Sequence, residues 1–109
     1  MPYIISGKVI KGDGYGRKIG FPTVNLEVEE SEFPPEGIYT GKAEMEGKTY
    51  RAGIVIGPHA KIEAHLIGYR DNAYGKKVVL HINKFLREYR KFNTEEELIT
   101  QIKKDLDSC

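Results

Sequence analysis

Six short runs rich in β-branched and aromatic residues, at 3–10, 23–28, 38–45, 49–56, 62–69 and 77–85, constrain this chain more than any other feature. Val, Ile, Thr, Tyr and Phe suit a pleated, half-buried surface, and Gly, Pro, Asn or Asp separates the runs, so each is expected as a strand. No helical pattern stands between them. That argues against a parallel sheet with helical crossovers and for an antiparallel barrel or sandwich. Glu46-Gly47 predicts a tight hairpin between the third and fourth runs. One helix is expected from near Thr94, where Thr94 and Glu97 match a capping box, and Leu98, Ile102 and Leu106 give it one apolar stripe. That helix reads as structural, packed on the strands, with only its N-terminal approach functional.

A chain of 109 residues supports one domain, 1–109, with a single modest core. Seventeen Lys and Arg against sixteen Asp and Glu leave a net charge of +1, so no overall field favours nucleic acid or a membrane. The lone cysteine, Cys109, has no internal disulfide partner and points to a reducing compartment. The opening MPYIISGKVI has a short apolar run and no cationic start, unlike a secretory signal or a membrane span. A cytoplasmic monomer without nucleic-acid or membrane partners is expected.

The chemistry concentrates in GDGYGRKIGFPTVN, residues 12–25. Gly12, Gly14 and Gly16 allow consecutive N–H groups to turn inward around an anion, and Arg17 and Lys18 stand where a polyphosphate needs countercharge. The P-loop pattern fails, because Arg17, Lys18 and Ile19 follow Gly16. A dinucleotide fingerprint fails too, since Gly20 and Pro22 would interrupt a helix opened at Gly16. The competing reading is a glycine-rich hairpin turn. Pro22 biases Phe21 towards extended geometry, and the two-residue period beyond it places Thr23 and Asn25 on one side. A hydroxyl and a carboxamide oxygen suit a magnesium ion bridging nucleotide phosphates, against the plainer reading of a polar strand face in water.

Along residues 62–67, alternation places Ile62, Ala64 and Leu66 on one face and Glu63, His65 and Ile67 on the other. An outward Glu on a strand is ordinary by itself. His59, His65 and His81 lack the spacing of a zinc site, and His65 and His81, which could share a barrel face, read as hydrogen-bonded structural residues. KFLREYRKF, residues 84–92, interleaves cations with aromatic rings, a composition that fits nucleic acid or the covering of a flat ring system.

GRKIGFPTVN, GIY at 37–39, IEAHL at 62–66, YGKKV at 74–78, LREYRKF at 86–92 and the closing helix resemble, in this order, the riboflavin kinase family. The resemblance covers nearly the whole chain, and its PTxN element is specific. It implies a six-stranded antiparallel Greek-key β-barrel with one C-terminal helix. It also implies transfer of the γ-phosphoryl group of ATP, with Mg²⁺, to the terminal ribityl hydroxyl of riboflavin, giving FMN. The family's catalytic Glu falls at Glu63, which would orient that hydroxyl and accept its proton. The resemblance assigns Gly12, Arg17 or Lys18, Leu66, Gly68 and Tyr74 to the nucleotide side, with Thr23 and Asn25 holding the metal–nucleotide complex. Arg87, Arg90 and Phe92 match the flavin side.

Two departures stand out. Gly57-Pro58-His59-Ala60 is shorter than the family's loop after the fourth strand, and Tyr89 occupies a position that is acidic in the family, with Glu88 one place earlier. Both bear on the walls of the site. FAD synthesis by these residues alone is not expected, for want of room for an adenylyltransferase domain. The alternative function is a flavin-binding or flavin-sensing barrel that has lost transfer. A single-strand-binding barrel is a third reading, disfavoured by the near-neutral charge.

Overall fold

The computed structural model describes residues 3–12, 18–28, 34–69 and 73–109. Its strands are β1 (Tyr3–Ile10), β2 (Val24–Glu27), β3 (Gly37–Met45), β4 (Lys48–Gly57), β5 (Lys61–Leu66) and β6 (Lys77–Arg87), followed by helix α1 (Glu95–Asp107). All pairings are antiparallel, and the sheet closes in the order β1-β2-β5-β4-β3-β6. The meander β3-β4-β5 brings β5 back beside β2, which is the Greek-key connection. Closure gives every strand two neighbours and leaves no open edge.

Alternation builds the core. Ile62, Ala64 and Leu66 of β5 point inward with Ala52, Ile54 and Ile56 of β4 and Val78, Leu80 and Ile82 of β6, all buried. The opposite faces of these strands stay half-exposed, so the candidate site residues Glu63 and His65 stand on the outside of the barrel. The β3–β4 hairpin turns on Glu46 and Gly47, both with positive φ (51° and 78°), the left-handed pair that a two-residue hairpin favours.

Strand bounds shift by a few residues from the expected runs. β2 covers Val24–Glu27, leaving Thr23 just outside it, and β5 ends at Leu66. Thr94 caps α1, its Oγ1 accepting the Glu97 N–H at 3.2 Å. Among the described residues, no helix is long and apolar enough to span a membrane.

Candidate active site

Directly opposed residues in an antiparallel sheet share a face. One such row crosses the outside of the barrel as Asn25, Glu63, Val55, Ile38 and Arg87, each paired in register with the next. The row leads from the Thr23/Asn25 pair to the cationic end of β6. Glu63 lies between them.

A cleft of about 580 Å³ opens over this row from Glu63 to Arg87, with Asn25 and its neighbour Gly12 outside the lining. The barrel supplies Thr23, Glu63, His65, Val55 and Ile38; the segment after β6 and the apolar stripe of α1, Leu98, Ile102 and Leu106, supply the facing wall. The volume suits a small organic ligand, and the mixture of apolar walls with a few polar groups is that of a ligand pocket. The stripe packs on the barrel at its far end, Leu106 against Gly53, and elsewhere bounds the cleft. No residue of α1 is fully buried.

At the β2 end, Gly12 lies directly against Asn25. A Cβ at Gly12 would overlap the Asn25 carboxamide, so a side chain there would force that carboxamide to move. Pro22 and Phe21 bind the start of β2 to β5: the His65 Nδ1 lies 2.6 Å from the Pro22 carbonyl oxygen, and Phe21 meets the His65 ring edge-on at 6.1 Å. Thr23 and Asn25 offer neutral hard oxygens, a set that suits magnesium when phosphates and water complete its coordination. Among the described residues, no three His, Cys, Asp or Glu side chains gather as a metal site.

At the other end, Arg87 forks onto Asp105 of α1, with Nε to Oδ1 at 3.1 Å and Nη2 to Oδ2 at 2.8 Å. Gln101 donates to the same carboxylate at 3.0 Å. The Arg87 and Arg90 guanidinium carbons lie 5.6 and 4.6 Å from the centre of the Phe92 ring. These cations therefore stack on Phe92, and two of Arg87's donor nitrogens are committed to holding α1 over the cleft. Further along α1, Leu106 lies 3.2 Å from where a Gly53 Cβ would stand, and Arg51 Nη1 donates to the Cys109 carbonyl at 3.1 Å. Partial burial, with Asp105 nearby, raises the pKa of the Cys109 thiol.

The remaining expected residues fall elsewhere. Leu66 is buried in the barrel core, so its side chain faces away from the cleft. Gly68 and Tyr74 are exposed near the barrel end where β5 finishes and β6 begins, outside the cleft lining, as is exposed Lys18. Gly14, Gly16 and Arg17 lie outside the described residues. His65 and His81 do not share a side: β5 and β6 are three places apart in the six-strand closed order, and His81 Nε2 instead meets Glu44 Oε1 at 3.0 Å. Asp105, Ile38 and Val55 escaped the sequence reading. Only strand register and the docked helix bring them to the site.

The sequence model of the riboflavin kinase family (flavokinase) matches residues 1–109. This chain belongs to the riboflavin kinase family. A bifunctional riboflavin kinase/FMN adenylyltransferase of Bacillus subtilis is 39% identical over 115 residues, covering 95% of this chain and 36% of that protein. The Escherichia coli K12 protein of the same name is 31% identical over 112 residues, with the same two shares. This riboflavin kinase-family chain thus spans 36% of the length of these curated relatives. A Trypanosoma brucei riboflavin kinase structure shares the fold, with a TM-score of 0.78 at 21% identity over 97% of this chain and 76% of that one. A Streptococcus pneumoniae structure titled macrolide-efflux protein superposes with a TM-score of 0.93 at 28% identity, over 97% of this chain and 38% of its own.

The two segments expected to depart from the riboflavin kinase pattern, residues 57–60 and Tyr89, meet in space. Residues 58–60 form one tight turn, and Gly57 is backed by Tyr89, whose Cε2 lies 3.7 Å from where a Gly57 Cβ would stand. Tyr89 and Lys61 both line the cleft there. The tyrosine ring thus stands beside this turn.

Proposed function

We propose that this chain phosphorylates riboflavin to FMN at the expense of ATP, acting as one kinase domain in the cytoplasm and as a monomer. The observation that carries this reading is Glu63 on the wall of a cleft that runs from Thr23 to Arg87 and Phe92, with Asn25 paired in register to Glu63 beside it. A carboxylate is thereby held between a nucleotide-side oxygen pair and a flavin-side ring, where an acceptor hydroxyl would meet a phosphoryl donor.

In this reading the Glu63 carboxylate orients the terminal ribityl hydroxyl and takes its proton. The hydroxyl oxygen forms its bond to the γ-phosphorus as the bond to the β-phosphate oxygen breaks, releasing ADP. Thr23 and Asn25 hold the metal–nucleotide complex, with Gly12, Gly14, Gly16 and Arg17 or Lys18 on the phosphates. Mg²⁺, when bound, would neutralise charge on the transferring group. Leu66, Gly68 and Tyr74 belong to the nucleotide side through the backbone and the barrel end. Phe92, with Arg87 and Arg90 stacked on it, bounds the flavin. Positioning and charge stabilisation supply most of the rate.

The FMN adenylyltransferase activity in the relatives' names is not proposed for these residues. The alternative of a flavin-binding barrel without transfer is weaker, because both curated relatives cited above carry riboflavin kinase in their names. The test is to incubate the purified chain with riboflavin, ATP and Mg²⁺ and to resolve the products by chromatography. FMN formed only with ATP is expected. Riboflavin binding without FMN from a folded, metal-replete chain, with any nucleotide tried, would replace this reading with the binding barrel.

A further inference from the structure

The β2–β5 ladder stops where the proposed metal pair begins. Its registered pairs are Leu26 with Ile62, Asn25 with Glu63, and Val24 with Ala64. The next pair in that register would be Thr23 with His65, but the strand ends at Val24, and Pro22 beyond it has no N–H to give. Asn25 is thus fixed by the sheet and Thr23 is not. Yet a metal–nucleotide complex shared between the two requires both oxygens at a set separation.

We propose that His65 is a positioning residue, its side chain continuing the ladder past the proline to hold Thr23 in place beside Asn25, the residue paired with Glu63. The inference rests on the kinase reading above. His65 lies two residues from Glu63 on the same outward face of β5, and both line the cleft with Thr23. Its Nδ1 is 2.6 Å from the Pro22 carbonyl oxygen. That carbonyl can only accept, so Nδ1 carries the proton and donates. The Pro22 carbonyl belongs to the same rigid planar unit as the Thr23 nitrogen, so holding one fixes the other. One backbone rotation then separates the clamp from the Thr23 side chain. Phe21, edge-on to the imidazole with an interplanar angle of 72°, keeps the ring from turning away.

The clamp can be tested without substrate and with it. In nitrogen-15 NMR of the wild-type chain, the His65 Nδ1 is expected to carry a slowly exchanging proton. An Nδ1 without a proton would overturn the proposal whether or not the chain is a kinase. In His65→Phe the ring and its contact with Phe21 remain while the donor is lost; in His65→Asn a carboxamide N–H reaches towards the same carbonyl. With folding checked by circular dichroism, calorimetry is expected to show Mg²⁺-ATP binding weakened about tenfold in His65→Phe, the worth of one hydrogen bond. Riboflavin affinity should stay within about twofold and His65→Asn should recover most of the loss, as expected when a donor rather than bulk is required. Kinetically the loss should fall on KM for Mg²⁺-ATP. Wild-type Mg²⁺-ATP affinity in His65→Phe, or a folded His65→Asn as impaired as the Phe variant, would overturn the clamp. If His65→Phe does not fold, faster exchange of the Thr23 amide in His65→Gln, whose donor is displaced, is expected instead, and unchanged exchange would overturn it. Failure of wild type to make FMN would count against the kinase reading, while the NMR result would still decide the clamp.

Discussion

Glu63 and Gly12 illustrate two ways in which single residues would shape the proposed site. Glu63 is a functional group held in place by register, and Gly12 is the absence of one. If Glu63 supplies general-base catalysis, Glu63→Gln keeps the shape and a hydrogen-bonding carbonyl but loses the basic oxygen, so turnover should fall about 10²-fold or more. Nucleotide affinity should hold. Steady-state kinetics beside calorimetry separates the two, and near-normal turnover in the folded variant would remove Glu63 from the chemistry. Gly12→Ala should act through Asn25, because the added methyl occupies the space of its carboxamide. Mg²⁺-ATP binding should weaken by about tenfold or more, in line with the roughly 1–3 kcal/mol that overpacking costs. Unchanged affinity would mean that Asn25 can move without loss. The shared face of Thr23 and Asn25, and the outward face of Glu63, were legible because a two-residue period states which side chains share a face, while the role expected of Glu63 came from the family resemblance alone. Asp105 was not, because nothing in a helical sequence says which of its carboxylates will meet an arginine from a strand.

At the scale of the element, α1 was legible in its start, its cap and its stripe, but not in what the stripe faces. Leu98, Ile102 and Leu106 predict an apolar contact; whether that contact is a packed core or the wall of a cleft depends on how the far end is docked. Docking is done by the Arg87–Asp105 fork, the Arg51 bond to the Cys109 carbonyl, and the bare surface of Gly53 beneath Leu106. Gly53→Val should wedge the C-terminal end of the helix off the barrel. The Cys109 thiol, whose pKa burial raises, reports on this. Its alkylation in the native protein should accelerate about tenfold or more, matching the roughly 1–3 kcal/mol of an overpacked contact released by local opening. Riboflavin affinity should fall with it, and the thermal transition of the barrel should move little. Unchanged alkylation would show that the contact yields without undocking the helix.

For the whole molecule, closure of the barrel separates stability from chemistry by a single residue step. The strand runs and their alternation made the barrel legible; the strand order was implied by family resemblance and not by periodicity, because period two gives faces but not neighbours. Ile62 and Glu63 are adjacent in sequence yet point to opposite sides of β5, one 1% exposed in the core and the other on the cleft wall. Ile62→Ala should leave a cavity costing about 2–5 kcal/mol and lower Tm by roughly 10 °C or more. Turnover measured well below that Tm should stay within about threefold of wild type, because truncation inside the barrel leaves the Asn25–Glu63 pairing intact. Glu63→Gln should do the reverse, abolishing most turnover while Tm hardly moves. Thermal melts and assays on the two variants in parallel test this division. If Ile62→Ala lost turnover as steeply as Glu63→Gln while still folded, the core would be setting the position of the Glu63 carboxylate directly, and the barrel would be part of the proposed active site instead of its support.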